Sequence, residues 1–265
     1  GDLRGDRAWL VDFDDAERND WLVVTQFTMK TGRQPRRPDL VAFLNGLPVA
    51  VIELKDPLNQ QTDVWDAYEQ LQTYRQELPD LFLPNVALVV SDGKFARVGS
   101  LTADRERFMP WRTLASEHDK PDLEYELEKV VRGFFDRELF LDYLRHFVLF
   151  EPGPDGALIK KIAAYHQFHA VRTAVEQTLR AAVQPGTAAV EVHDAPAPYA
   201  GRIQPTTPGS RQGGIVWHTQ GSGKSISMAC FAGKLRQQPA MRNPTLVVVT
   251  DRNDLDGQLF QQFVN

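Results

Sequence analysis

Short apolar runs and one amphipathic segment dominate the first third of the chain. Residues 21–27, 40–44 and 49–54 are rich in Val, Leu, Ile and Phe and have the length of β-strands. Residues 64–78 place apolar side chains at helical spacing, and the continuous apolar run 86–90 is typical of a buried strand reached by a helical crossover. The pattern therefore predicts three strands, a helix and a fourth strand, which is an α/β arrangement.

Turn and cap signals define the ends of these elements. Asn45-Gly46 is a strong hairpin signal between the second and third strands. Asp63 is suited to capping the helix, and Pro79 ends it.

The middle of the chain has a helical pattern. One helix is expected to start at Asp122 and stop near Gly133, and another to start at Asp136. The Pro- and Gly-rich stretch 151–156 interrupts the pattern and predicts a boundary, after which a longer helix is expected over 158–182. Residues 184–214 are rich in Pro, Gly and Ala and predict a surface loop.

Composition limits the class of protein. The 265 residues suffice for about two domains, and 42% hydrophobic with 25% charged residues is an ordinary globular balance. No apolar run approaches the roughly 20 residues of a membrane span, and no secretory signal is evident. The single cysteine, Cys230, excludes an internal disulfide, and we expect a cytoplasmic protein without membrane partners. The chain starts without Met inside folded-looking sequence, so we interpret it as a fragment of a longer protein.

A phosphate-binding sequence stands late in the chain, between an apolar run at 214–217 and an amphipathic run at 225–235. It consists of Gly221, Ser222, Gly223, Lys224 and Ser225. Glycines let backbone N–H groups face a polyphosphate, and a helix N-terminus adds unpaired N–H groups. In such a loop Lys224 reaches the β- and γ-phosphates of ATP and the Ser225 hydroxyl binds Mg²⁺. An ordinary glycine turn is the alternative, but the flanking strand and helix favour nucleotide binding.

Two carboxylates and a lysine form a second candidate site. Glu53 and Lys55 share one face of the third strand, because side chains alternate along a strand. A plain two-residue Asn45-Gly46 hairpin pairs Asp39 with Ile52 and leaves it on the opposite face from Glu53. A bulge or a longer loop sets Asp39 across from Glu53, and Pro48 favours such an irregularity.

We adopt the bulged register as a hypothesis, with Asp39 and Glu53 as ligands of a divalent metal. Hard carboxylate oxygens suit Mg²⁺, which activates water for phosphodiester hydrolysis. Lys55 could orient that water or neutralise the phosphate. The alternative is a solvated strand end with an ordinary Glu-Lys pair.

Residues on both sides of this trio extend the pattern. Gln70 and Tyr74 lie four apart on the predicted helix and share a face. Three arginines precede Asp39 and form a cationic patch suited to DNA phosphates, namely Arg33, Arg36 and Arg37.

The order Pro38-Asp39, Glu53-Leu54-Lys55 and Gln70-x-x-x-Tyr74 resembles the PD-(D/E)xK nucleases, and their RecB-like branch in particular. The resemblance implies a mixed sheet with flanking helices, metal binding by Asp39 and Glu53, and catalysis by Lys55 with Gln70 and Tyr74 in support. In that family an acidic residue on an earlier helix often contributes too, and we expect the region that carries it to be missing from this chain.

Upstream of the glycine loop lies Tyr165-His166-Gln167, which taken alone is better explained as a polar helix face. Next to the glycine loop it resembles the glutamine motif of superfamily 2 helicases, and the resemblance implies that Gln167 selects ATP. After a predicted strand over 245–250, residues 250–255 resemble the segment of those motors that touches the DNA backbone; a polar turn is the alternative.

Taken together, these motifs resemble the restriction (R) subunit of type I restriction–modification enzymes over nearly the whole chain. The resemblance implies a nuclease domain at 1–118, a helical connector at 119–150 and the start of a RecA-like P-loop domain at 151–265. It also implies Mg²⁺ and ATP as cofactors, and as partners double-stranded DNA and the modification (methyltransferase) and specificity subunits. Without a second motor domain, the chain alone is not expected to be a competent ATPase.

Other functions are compatible with parts of the pattern. The chain could belong to an ATP-dependent DNA-binding or remodelling protein with a non-catalytic nuclease-like domain. A recombination-type helicase–nuclease usually carries its nuclease after the motor, whereas Asp39 precedes Lys224 here. A P-loop kinase is disfavoured, because nothing suggests an acceptor site.

Overall fold

The computed structural model describes residues 9–31, 34–59, 63–115, 119, 121, 123–182 and 206–249. The chain divides into two compact units, Gly1–Trp111 with Leu123–Arg145, and Arg112–Asp122 with His146–Asn265. The domain boundaries predicted near 118 and 150 stay predictions. None of the helices in the described part of the chain has the length and hydrophobicity needed to cross a bilayer.

The first unit combines strands and helices. In chain order its elements are β1 (Trp21–Thr25), β2 (Met29–Thr31), β3 (Gln34–Arg36), β4 (Leu40–Leu44), β5 (Leu47–Leu54), α1 (Val64–Glu77), α2 (Pro79–Phe82), β6 (Ala87–Ser91), β7 (Ala96–Gly99), α3 (Glu126–Lys129) and α4 (Arg137–His146). A π-helical stretch, Val130–Phe134, follows α3 directly. The start predicted at Asp122 lies outside the described residues.

A five-stranded sheet in the order β1-β4-β5-β6-β7 organises this unit. Strands β5 and β6 run parallel, and the other neighbours are antiparallel. Helix α1 makes the crossover between the parallel pair, as the continuous apolar run of β6 predicted. The predicted α/β class and the mixed sheet are therefore confirmed.

Helix α1 begins and ends where its sequence predicts. The Asp63 carboxylate accepts hydrogen bonds from the backbone N–H groups of Trp65 at 2.7 Å and Asp66 at 3.2 Å, and the Asp66 carboxylate accepts one from the Asp63 N–H at 2.8 Å. This reciprocal capping box satisfies N–H groups at the helix start. Leu71 and Tyr74 on the buried face of α1 pack in the core under the sheet. Burying one such large side chain contributes about 1.5–3 kcal/mol.

The turn between β4 and β5 is the two-residue Asn45-Gly46 hairpin that the sequence predicts. Both residues have left-handed backbones, with φ of 50° and 79°, as a type I′ turn requires. The Asn45 side chain also accepts a hydrogen bond from the Asp20 N–H at 2.6 Å, which ties the turn to the start of β1.

A β-bulge interrupts the same hairpin beyond the turn. Phe43 pairs with Pro48, whereas the preceding residue, Ala42, pairs with Ala50, so Val49 is the extra residue on β5. Pro48 has no N–H to donate, which makes a ladder break here inexpensive. The bulged register is the one predicted from the sequence, and it is confirmed.

The second unit contains β8 (Val148–Pro152), β9 (Leu158–Ile162), α5 (Tyr165–Ala182) and α6 (Lys224–Arg236). The helix predicted over 158–182 is wrong in its first part, because residues 158–162 form strand β9 and pair with β8. The turn between them uses Gly156 at φ 79°, and the Gly153 N–H donates to the Ala157 carbonyl oxygen at 2.7 Å. The Pro- and Gly-rich stretch is therefore a hairpin turn, and helix α5 starts only after it.

Two predicted strands of the second unit are absent from the described part of the chain. Residues 214–217 and 245–249 have no strand conformation there, and Ile215 and Val249 are 95% and 87% exposed. A strand needs a hydrogen-bonded neighbour, and the described residues provide none for either segment. Residues 184–205 of the predicted loop and residues 250–255 lie outside the described residues.

We predict that Asp63→Ala lowers the free energy of unfolding by about 1 kcal/mol, because it removes the side-chain half of the capping box. Urea unfolding followed by circular dichroism measures this change. Gln76→Ala, an exposed substitution in the last turn of α1, is the control. Equal stability of the two variants would contradict the capping role.

Candidate functional site

The bulge brings the two predicted acidic residues to one face of the sheet. Because Leu40 pairs with Ile52, the next position along each strand sets Asp39 across from Glu53. Beyond the effect of its burial, the pKa of Glu53 is raised further by the charge of the nearby Asp39. Sequence reasoning proposed this proximity, and the geometry agrees with it.

Both oxygens of the Asp39 carboxylate accept hydrogen bonds. Oδ2 accepts from the Leu54 backbone N–H at 2.9 Å, and Oδ1 accepts from Nε2 of Gln26 at 2.9 Å. The sequence pattern placed Gln26 inside a strand over 21–27 and gave it no role. In the structure β1 ends at Thr25, and the chain turns at Gln26.

Glu53 is a buried acid with an unfilled acceptor. Its side chain is 2% exposed, and Oε2 is buried without a hydrogen-bond partner. The pKa of Glu53 is raised to about 8, mainly by burial; the charge of the neighbouring Asp39 adds to this shift, and Lys55 opposes it. A buried carboxylate with a free oxygen is well suited to a cation, which would supply the missing partner.

Lys55 lies at the end of an ordered chain of hydrogen bonds. Its Nζ is 3.6 Å from Oε1 of Glu53 and donates to Oε1 of Gln70. The Gln70 amide in turn donates to the Tyr74 hydroxyl at 2.7 Å, and that hydroxyl donates to the Arg37 carbonyl oxygen at 3.4 Å. Burial raises the pKa of Tyr74, which keeps its proton available for donation. The five nuclease-site residues predicted from the sequence therefore lie together.

The donor set fits a magnesium ion that retains much of its water. Asp39 and Glu53 supply hard oxygen donors, and Mg²⁺ in proteins often takes only one or two carboxylates. No group of three or more His, Cys, Asp or Glu side chains suited to a metal occurs within the described residues.

The arginine patch differs from its prediction. The Arg36 guanidinium forms a two-pronged ion pair with the Glu77 carboxylate, so its charge is already matched by a protein group. Arg37 is exposed, and Arg33 lies outside the described residues.

The predicted phosphate loop has the backbone shape of an anion cradle. Gly221 and Gly223 have φ of 80° and 74°, and α6 begins at Lys224 directly after them. Nζ of Lys224 donates to the carbonyl oxygens of His218 and Thr219 at 2.9 and 2.8 Å. The lysine thus bonds to its own loop and must leave those carbonyls to contact a phosphate. Ser225, the predicted Mg²⁺ ligand, is the second residue of α6.

Gln167 contacts the phosphate loop directly. Its Nε2 donates to the carbonyl oxygens of Ser222 and Gly223 at 3.0 and 2.9 Å, and its Oε1 accepts from the Ala164 N–H at 2.8 Å. The side chain is 4% exposed. Both the oxygen and the nitrogen of the Gln167 amide therefore bond to protein groups. In this structure Gln167 supports the phosphate loop, which differs from the adenine contact expected from the sequence.

Comparisons with known proteins show which proteins this chain is similar to. Residues 1–107 match the family model for the type I restriction enzyme R protein N terminus, and residues 166–265 match the SWI2/SNF2 ATPase model. The HindI endonuclease subunit of a Haemophilus influenzae type I restriction enzyme is 44% identical over 99% of this chain and 23% of its own length. The resemblance to type I restriction R subunits is confirmed.

A second relative extends the similarity to an archaeon. The putative type I restriction enzyme MjaIXP endonuclease subunit of Methanocaldococcus jannaschii is 34% identical over 96% of this chain and 24% of its own length. The chain therefore spans about a quarter of the length of these R-subunit relatives.

We predict that Glu53 makes the stability of the metal-free protein depend on pH. Its folded pKa of about 8 exceeds the ordinary 4.5, so the folded state holds this proton more tightly than the unfolded chain. The stability that results is complete below pH 4.5 and is lost as the pH rises through about 8. Chemical unfolding in EDTA across this range should show a decline that Glu53→Gln removes. The control, exposed Glu106→Gln, should keep the decline, and parallel profiles for wild type and Glu53→Gln would contradict the assignment.

A pair of glycines in the second unit gives a matched test of the loop. A Cβ at Gly223 would lie 2.4 Å from Nε2 of Gln167 and would need a left-handed backbone, whereas a Cβ at Gly233 in α6 meets nothing within 4 Å. We predict that Gly223→Ala lowers the melting temperature and weakens binding of a fluorescent ATP analogue. Gly233→Ala should raise the melting temperature, since alanine favours a helix by about 1 kcal/mol. Similar effects of both changes would contradict this account of the loop.

Proposed function

We propose that this chain is part of the endonuclease subunit of a type I restriction–modification enzyme, which cuts double-stranded DNA in a reaction coupled to ATP-driven translocation. The first unit acts as a PD-(D/E)xK-type nuclease, and the second begins a RecA-like motor. The observation that carries the proposal is the convergence of Asp39, Glu53 and Lys55 on one face of the sheet. The similarity of nearly the whole chain to R subunits supports it.

In this proposal Asp39 and Glu53 hold Mg²⁺, which when bound favours ionisation of water and offsets charge on the scissile phosphate. Glu53 would release its proton to solvent on binding the cation, because the ion would replace the proton as the partner of the buried carboxylate. In the hydrolysis a water oxygen would bond to phosphorus and release a proton to solvent, while the bond from phosphorus to the leaving sugar oxygen would break and that oxygen would take up a proton.

The remaining residues of the site position Lys55. Gln70 accepts from the ammonium group, and Tyr74 holds the Gln70 amide, so the lysine is directed toward the acidic pair. An ammonium group held there can orient the attacking water and offset charge on the phosphate in the transition state. Gln70 and Tyr74 are thus positioning residues, and Lys55 is the catalytic one.

At the second site, ATP binds the cradle of Gly221, Ser222 and Gly223, with Lys224 on the phosphates and Ser225 on Mg²⁺. Gln167 supports this cradle through two bonds to its carbonyls. The proposed partners are double-stranded DNA and the modification and specificity subunits of the same complex. A cytoplasmic location belongs to the same proposal.

The second candidate function is ATP-dependent DNA binding or remodelling with an inactive nuclease-like unit. The match of residues 166–265 to the SWI2/SNF2 ATPase model fits that function as well. The complete set of Asp39, Glu53 and Lys55 favours cleavage, because a module that only binds DNA has no need for a buried acid with an unfilled acceptor.

We predict that Asp39→Asn and Lys55→Ala each abolish Mg²⁺-dependent DNA cleavage by the assembled enzyme while ATP hydrolysis and translocation continue. Removing a metal ligand or the group that stabilises developing charge costs two or more orders of magnitude in rate. Lys224→Ala should instead abolish ATP hydrolysis as its primary effect. Lys94 is an exposed lysine of the first unit, and Lys94→Ala should change neither DNA cleavage nor ATP hydrolysis. Continued cutting by the first two variants would favour the remodelling function.

A further inference from the structure

Gln26 is the residue outside the predicted site that contacts it most directly. Its backbone N–H donates to the Asp39 carbonyl oxygen at 2.7 Å, and its side-chain Nε2 donates to Oδ1 of Asp39 at 2.9 Å. One residue thus holds both the main chain and the side chain of the first acidic residue. None of the sequence motifs includes it.

The backbone of Gln26 is in a conformation that side chains seldom adopt. Its φ is +55°, in the left-handed region where a Cβ crowds the following carbonyl oxygen. Such residues persist where the surrounding contacts fix them, and they concentrate at functional sites. The left-handed turn ends β1 and changes the direction of the chain next to Asp39.

The contacts that follow Gln26 fix this turn from the other side. The Thr28 hydroxyl donates to the Gln26 carbonyl oxygen at 3.2 Å. The Phe27 ring packs edge-on against Phe43 of β4, with 5.4 Å between ring centres. The backbone of Gln26 is therefore fixed by the strand pairing before it and by the contacts after it, which places its exposed side chain next to Asp39.

The chemistry of an amide suits a partner of a metal ligand. A carboxylate oxygen has two acceptor positions, so one hydrogen bond to Oδ1 and one to Oδ2 still leave each oxygen able to bind a cation. A neutral amide orients Asp39 without cancelling its charge, whereas Lys or Arg in the same place would compete with the ion. Groups that orient metal ligands in this way typically contribute ten- to hundredfold to metal affinity.

We propose that Gln26 is a positioning residue of the metal site, which holds the Asp39 carboxylate in the orientation that binds the divalent ion together with Glu53. This inference rests on the proposed function, because it assumes that Asp39 is a metal ligand. It adds to the nuclease site a residue that directly follows the edge strand β1 and precedes the acidic pair in sequence.

Calorimetric titration of the chain with Mg²⁺, at a temperature well below unfolding, tests the proposal. Gln26→Met keeps the length of the side chain and removes the donor, so we expect about ten- to hundredfold weaker Mg²⁺ binding. Gln26→Gly should weaken binding similarly while it accepts the left-handed backbone freely, which covers the case that Gln26→Met folds poorly. Gln76→Met, on the exposed face of α1, should bind as wild type does.

Asp39→Asn separates the two levels of the proposal. If the wild type binds Mg²⁺ and Asp39→Asn does not, the metal site is supported. If both Gln26 variants then bind Mg²⁺ with unchanged affinity, the role of Gln26 alone is overturned. A wild type whose Mg²⁺ binding is absent or insensitive to Asp39→Asn would overturn the metal site and the role of Gln26 together. A purely structural role would change the melting temperature of the Gln26 variants without changing their affinity for Mg²⁺.

Discussion

The extra residue in the β4–β5 hairpin is the constraint on which the candidate nuclease site depends. Side chains alternate along a strand, so a shift of one position moves a whole set to the other face. With Val49 bulged out, Asp39 stands across from Glu53; without the bulge it would stand across from Ile52 and face away. One unpaired backbone position thus decides whether two acids can share an ion.

Placing two acidic side chains together, one of them buried, is unfavourable unless a cation binds between them. Glu53 responds by keeping its proton to a higher pH, and its Oε2 has no partner within the protein. Lys55 offsets part of the charge from 3.6 Å, but Gln70 also engages its ammonium group. The site is therefore arranged in advance for a cation, and the protein bears the cost of that arrangement in the metal-free state.

Much of this could be predicted from local sequence. The Asn45-Gly46 turn and the Asp63 cap were predictable because both depend on a few neighbouring residues, and the bulge was inferred from the missing N–H of Pro48. The hairpin of β8 and β9 was missed, because Leu-Ile-Lys-Lys-Ile suits a helix as well as a strand when the partner strand is unknown. Gln26 had no sequence signal, since its role arises only where β1 meets Asp39 in space.

The two sites are connected by their chemistry, because each is a cluster of polar groups arranged to receive a charged ligand. The central claim is that one divalent ion lies between the two acidic residues of the sheet. Crystals of the chain grown with Mn²⁺ and measured for anomalous scattering test this claim most directly. The account predicts a peak within bonding distance, about 2.2 Å, of carboxylate oxygens from both Asp39 and Glu53. A well-ordered site without such a peak, or an ion bound by only one of them, would contradict it.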